Sequence, residues 1–256
     1  MSIATTIDAV TLLRGKGHRR PHVDRALCGG LRAWLNDEYF ALFGNDTITR
    51  ISRSPWTLTH GQGPSSTLSL ARSALVMALC TQRLLGATIT HPMDDALSVL
   101  ESDVTQTPLT YEIHNLEPER FSLLAAEFAA HDEVLAQQLR SVPGAWLPRF
   151  HLRTSLALHG EQVSLTAMTD VMFGPPPKEI ASVALLDITT TTHDDHITNE
   201  LRIRALLETL RSGVQPFAVA SLSSATGSLA LLEVQEADLV EGVHLCVAGI
   251  KAALHG

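Results

Sequence analysis

Residues 169–192 read "TDVMFGPPPKEIASVALLDITTTT". Two runs of apolar and β-branched residues flank a Pro-rich break, which predicts two strands joined by a turn. Each strand carries one acid, Asp170 and Asp187. In an antiparallel pair the numbers of opposed residues sum to a constant. Asp170 therefore faces Asp187 if the turn centres between Lys178 and Glu179. That point falls inside "GPPPKEIAS", so the juxtaposition is allowed. The run "IASVALLDITTT" is apolar on both faces in its middle, as an interior strand would be.

The neighbouring segments extend this pattern. "RFHLRTSLALHG" alternates as a strand, and His159–Gly160 predicts a tight turn into a second strand, "EQVSLTAMTDVMF". "HITNELRIRALLETLRSG" is an amphipathic helix through Ile197, Leu201, Ala205, Leu206 and Leu210, closed by Gly213. "QPFAVASLSS" and "SLALLEVQ" predict two more strands around "SATGS", and a last helix runs from about Ala237 to Leu254. Upstream, "EPERFSLLAAEFAAHDEVLAQQLRS" has long helical periodicity. The order over residues 117–255 is helix, three strands, helix, two strands, helix. Three antiparallel strands followed by a helical crossover predict an α/β fold, a mixed central sheet flanked by helices.

Residues 21–115 read as a mainly helical N-terminal part and 116–256 as the sheet-bearing core of one domain spanning 21–256. "PHVDRALCGGLRAWLND" has helical spacing, weakened by Gly29 and Gly30. Residues 44–66 are punctuated by Pro, Gly, Ser and Thr, and read as a connection or short strands. "SLARSALVMALCTQRLLG" reads as a buried helix stopped by Gly86, and "HPMDDALSVLES" as a shorter one. Residues 1–20, with the basic cluster "RGKGHRR", read as a flexible tail; a phosphate-contacting arm is the sharper alternative.

The totals bound the function. The chain has 256 residues with 45% hydrophobic and 18% charged, a globular composition. Net charge is −8 and the isoelectric point about 5.8, which argues against a protein gripping a long stretch of nucleic acid. Cys28, Cys80 and Cys246 are far apart with no CxxC pair, so neither zinc nor an iron–sulfur cluster is expected. Sparse cysteines fit a reducing compartment. "MSIATTIDAV" lacks a signal-peptide pattern, and "SALVMALCTQRLLGA" is too short and polar to span a bilayer. The expectation is a cytoplasmic protein with no membrane partner.

Two carboxylates on adjacent strands can hold a hard divalent cation, Mg2+ or Mn2+. The plainer alternative is that each is solvated or salt-bridged near a strand end. "HDDH", residues 193–196, has metal-ligand residue types, but a helix cap from Asp194 or Asp195 is the simpler expectation. No G-x-S-x-G, P-loop or G-x-G-x-x-G is present.

Over roughly Ser66 to Glu241 the residues resemble the PD-(D/E)XK nuclease superfamily, and its RecB-like branch in particular. "LTAMTD" resembles that family's metal-binding "LTGRID" strand and "ALLDITTTT" its "LLDYKTG" strand. "NELRIRALLETLRSG" is similar to the helix bearing its Gln-x-x-x-Tyr motif, "ARSALVMAL" to the upstream Gly-x-x-x-His helix, and "GVQPFAVASL" to the strand after the motif helix. The resemblance implies a restriction-endonuclease-like core and places Asp170 and Asp187 as metal ligands. The departures fall on the chemistry. Thr189 stands at the catalytic Lys position, Glu200 and Arg204 at the Gln and Tyr positions, Met77 at the His position and Ala167 at the Gly position.

Thr189 carries no charge to steady a developing phosphate charge, and such a loss commonly costs about 10²–10³ in rate. Met77 is no ligand for a hard cation. Arg204, or less favourably Arg202, offers a guanidinium where the Lys is missing; Lys178 is too far away in the turn. The resemblance with these departures implies a catalytically impaired nuclease-fold protein acting by binding or assembly in DNA maintenance or defence, with DNA or a protein of a DNA-processing complex as partner. The alternative is an active Mg2+-dependent DNase using Asp170 and Asp187, with Glu200 as a third acid and Arg204 in place of Lys.

Overall fold

The structure, a computed structural model, describes residues 9–14, 20, 22, 24–43, 51–60, 66–139, 146, 148–158, 162–175 and 180–255. Its sheet has six strands: β1 (Ile51–Arg53), β2 (Arg149–Leu158), β3 (Val163–Phe173), β4 (Ala184–Thr189), β5 (Ala218–Ser223) and β6 (Leu229–Glu233). β2–β3, β3–β4 and β5–β6 are antiparallel, while β1–β3 and β4–β5 are parallel. The mixed sheet flanked by helices is therefore present as expected. The parallel β4–β5 pair is made possible by α8 (Ile197–Ser212), which crosses between them and ends on Gly213 in the left-handed conformation.

Side-chain alternation on the central strands builds two cores. Ala184, Leu186, Ala218, Ala220 and Leu222 face one side, with α1 (Ala9–Arg14), α4 (Thr67–Leu85), α5 (Pro92–Ser102), α6 (Thr107–His114) and α7 (Pro118–Gln138) supplying the other half of that cluster. Leu185 and Val219 face the opposite side, against α2 (Arg25–Phe43), α8 and α9 (Glu236–His255). Burial of both faces is why β4 and β5 read as continuous apolar runs. By length and composition α4 is apolar enough to cross a membrane, but eight of its residues are buried in the protein.

Three segments differ from the sequence expectation. Within residues 1–20, expected to be a flexible tail, Ala9–Arg14 form α1, and Ala9, Val10 and Leu13 are fully or nearly buried. Their i, i+1, i+4 spacing is one apolar helical stripe, too short to stand out beside the basic cluster. Arg20 lies over the Phe217 ring, 3.9 Å from its centroid. Residues 44–66 hold one short strand, β1, as the sequence allows, but also the unexpected six-residue helix α3 (Pro55–His60) within their described part. The segment between α5 and α7 holds a 3-10 turn, Val104–Gln106, and then α6. The expected turn at His159–Gly160, and Lys178, lie outside the described residues.

β3 sets the site. β2 pairs along nearly its whole length on one edge, so β1 and β4 must share the other. β1 takes Val163–Leu165 and β4 takes Val171–Phe173, which leaves residues 166–170 in a fork between them. At the same level the hairpin changes face. Leu152, Leu165 and Ala167 belong to the α8-side core, whereas Phe150, Val171 and Phe173 belong to the other. His151 stands opposite Asp170 by register, and its φ of 51° is the positive-φ value among described non-glycine residues. A left-handed residue inside a strand rotates the chain about its axis, which accounts for the reversal along β2.

Candidate functional site

The β3–β4 ladder pairs Val171 with Leu186, Met172 with Leu185 and Phe173 with Ala184. The next pair in that register is Asp170 and Asp187. They meet where the ladder ends, and their side chains replace the missing backbone bonds of the fork. The Ile188 amide donates to Asp170 Oδ2 at 2.7 Å, and the Asp170 amide makes a long contact of 3.4 Å to Asp187 Oδ1. An unpaired buried amide is costly, so the acids here serve the sheet as well as any chemistry. Alternation turns both acids to the α8 side.

On α8, Glu200 and Arg204 are one turn apart and share a face. Arg204 Nε lies against Asp187 Oδ2, and Arg204 Nη1 donates to the Met168 carbonyl at 2.6 Å. The Arg204–Asp187 contact is an ion pair without an aligned hydrogen bond, since Asp187 Oδ2 has no hydrogen-bond partner. Arg202 faces away and binds Asp238 and Asn199. Of the two expected guanidiniums, Arg204 is the one at the acids.

These residues line a cleft of about 320 Å3 together with Trp56, Ser73, Met168, Thr189–Thr192, His193, Asp194 and Ser221. Thr189 Oγ1 lies 2.9 Å from Thr191 Oγ1 and accepts from the Thr191 amide. It closes a local turn and brings no charge to the acids. Met77 is buried on α4 and does not line the cleft; Ser73, one turn earlier, does. Ala167 is buried on β3.

The "HDDH" run separates in space. His193 lies between Ser221 and Ser228 hydroxyls, each at 3.2 Å. Neither Asp194 nor Asp195 caps α8 as expected: the N-cap is His196 with no side-chain cap bond, while Asp194 Oδ1 accepts from the His196 amide in the turn before the helix and its Oδ2 contacts His60 Nε2 at 2.6 Å.

Trp56 lines the cleft and His60 stacks behind it, and the sequence flagged neither. The two rings stack at 3.7 Å with 8° between planes. His60 Nδ1 lies 2.7 Å from Thr59 Oγ1 and 3.5 Å from Glu200 Oε1. The Trp-x-x-x-His spacing is the i, i+4 signal of one helical face, hidden within a Pro- and Thr-rich stretch. α3 reaches the cleft because α9 has no side chain at Gly249. A Cβ there would come within 2.7 Å of Leu58 Cδ2 and 2.9 Å of the Leu58 carbonyl oxygen. Gly249→Ala is expected to cost about 1–3 kcal/mol of stability in urea unfolding through this overpacking. Gly29→Ala, where nothing lies within 4 Å on α2, is expected to be neutral or to stabilise by up to about 1 kcal/mol.

Burial dominates the electrostatics. It pushes the Asp187 carboxyl up to about 7, with Asp170 pushing the same way and Arg204 opposing. Asp170 is also raised by burial, against the Ile188 amide and Arg204. Glu200 is raised by burial, against Arg204 and His60. Asp194 is lowered, chiefly by its hydrogen bond with His60. The cleft thus holds four carboxyls against one arginine and one histidine, an acidic surface unsuited to a free phosphate.

The carboxylate donor set is of the kind a hard divalent cation takes. As arranged, however, three of the four oxygens of the Asp170–Asp187 pair face protein donors, and the guanidinium of Arg204 holds the cation position. Among the described residues no group of three or more His, Cys, Asp or Glu side chains is set to hold a metal ion. The residues in this arrangement do not fit Mg2+ or Mn2+ unless Arg204 is displaced.

No family model matches the chain, and no curated protein does. Among solved structures, that of SSO0001 aligns over 88% of this chain and 85% of its own, at 11% identity and a TM-score of 0.32. A likeness that low carries no argument about the site.

Proposed function

We propose that this is a degenerate RecB-like PD-(D/E)XK nuclease-fold protein, catalytically impaired, which acts in the cytoplasm by binding or assembly in DNA maintenance or defence. The observation that carries the reading is Arg204 set against Asp187, where the resemblance would put a metal ion. Thr189 in place of Lys supports it, as does an acidic cleft that disfavours phosphate. Its partner on this reading is a protein of a DNA-processing complex rather than a long stretch of DNA.

A second reading, an active Mg2+-dependent DNase, draws support from one feature. Asp170 and Asp187 are adjacent in register at a fork in the sheet, with Glu200 nearby as a third acid. An assay of single- and double-stranded DNA cleavage with Mg2+ or Mn2+ separates the two. The proposed function predicts no cleavage beyond that of Asp170→Asn/Asp187→Asn. Metal-dependent cleavage lost in that double variant establishes the second reading.

A further inference from the structure

We propose that the cleft is a receptor for one cationic side chain, an arginine presented by a partner protein. This rests on the non-catalytic reading above and gives the partner its chemistry. Arg204 pairs with Asp187, and its charge also acts on Asp170 and, more remotely, on Glu200. Asp194 has both oxygens engaged, by the His196 amide and by His60. Glu200 has Arg204 and His60 near it only as charges, with no hydrogen bond from either. It is 8% exposed, it lines the cleft, and its carboxylate accepts no hydrogen bond among the described residues. The nearest cationic group is His60 Nδ1 at 3.5 Å, and that nitrogen is already in closer contact with Thr59 Oγ1. A buried carboxylate without a donor is a costly feature that a charged donor would relieve.

Trp56 is the independent second observation. It lines the cleft and is 48% exposed, a large surface for an indole. One face is backed by the His60 ring, which Asp194 fixes, so the indole is held in place and its opposite face is on offer. An indole face attracts a cation through its quadrupole, and a guanidinium also stacks flat upon it. A hydrated metal ion gains nothing comparable from an indole, and a phosphate is repelled by the acids. The cleft volume of about 320 Å3 lies at the small end of ligand pockets, roughly 300–1,000 Å3, and suits a side-chain head rather than a folded segment. The net charge of −8 favours the approach of a basic partner.

The test is calorimetry on the full chain at low salt. The probes are a capped Gly-Arg-Gly peptide, the same peptide with neutral citrulline for arginine, a Gly-Lys-Gly peptide, MnCl2 and a thymidine decamer. The arginine peptide is expected to bind, the lysine peptide more weakly, and the citrulline peptide at least about tenfold more weakly. Trp56→Ala and the near-isosteric Glu200→Gln are each expected to weaken binding of the arginine peptide about tenfold. Equal binding of the citrulline peptide, or full binding by both variants, overturns the proposal. Silence of both the arginine peptide and Mn2+ overturns the receptor alone. Mn2+ binding without peptide binding overturns the receptor and the non-catalytic reading together. Decamer binding that depends on Trp56 replaces the cation by an unpaired base.

Discussion

Gly174→Ala is expected to lower stability by about 3–5 kcal/mol, since an added methyl there meets the closest contact among the described glycines. Gly174 follows β3 with φ +97°, and a Cβ there would lie 2.0 Å from the Ser182 carbonyl oxygen. The obstacle is backbone and cannot rotate aside. The same turn is tied down by the Gly174 amide donating to the Trp146 carbonyl at 2.7 Å and by the Ser182 hydroxyl donating to the Pro175 carbonyl. The Gly174–Ser182 contact lies just beyond the Phe173–Ala184 pair of the β3–β4 ladder, so forcing it apart loosens the pairing that brings Asp170 beside Asp187. Gly213→Ala provides the comparison. Its φ is +75° but nothing lies within 4 Å, so only the conformational cost of about 1 kcal/mol is expected. Urea midpoints of the two variants separate clash from conformation. Similar losses in both would mean that Gly174 and the Ser182 carbonyl lie farther apart than the structure has them.

Arg204→Gln is expected to cost about 3 kcal/mol at pH 8, since it leaves buried carboxylates without their cation. The loss should shrink at pH 5. Burial raises Asp187 to about 7, so at pH 5 its carboxyl is largely neutral and Arg204 has little to compensate. The sign for the wild type follows from linkage. Asp170, Asp187 and Glu200 are all raised in the folded state, and for Asp187 the folded state holds the extra proton between about pH 4 and 7. The Asp187 contribution is fully present at low pH and is lost as pH rises through about 7, and Asp170 and Glu200 act in the same direction. Asp187→Asn should flatten that part of the curve. The double variant Asp187→Asn/Arg204→Gln should lose less than the sum of the single variants. Denaturation series at pH 5 and pH 8 test all three.

How much of this was legible in the sequence differs by element. The pairing of Asp170 with Asp187 followed from counting across the Pro-rich turn, because an antiparallel register is arithmetic once the turn is placed. Glu200 and Arg204 sit four apart on a strongly periodic helix, so their common face was also legible. That Arg204 rather than Arg202 meets the acids follows from the same period. A short strand such as β1 is within the reading of residues 44–66, but α3 and α6 are not legible, and the reasons are physical. α3 has six residues, too few for a hydrophobic period to appear, and its stability comes from contacts with α8 and α9. Trp56 enters the cleft, with His60 stacked behind it, because Gly249, far along the chain, lets α9 approach Leu58. No local window contains that information. α1 hid for a similar reason, since one apolar stripe of Ala9, Val10 and Leu13 lies beside a basic run that dominates the composition. The reversal of face along β2 turns on the left-handed His151, whose side chain gives no sign of it.

The central claim is that Arg204, and not a metal ion, is the cation of the Asp170–Asp187 pair. Calorimetric titration of Mn2+ into the wild-type chain at pH 8 tests it most directly. The account predicts no binding by the wild type at millimolar Mn2+. Tight wild-type binding that disappears in Asp170→Asn/Asp187→Asn would contradict it.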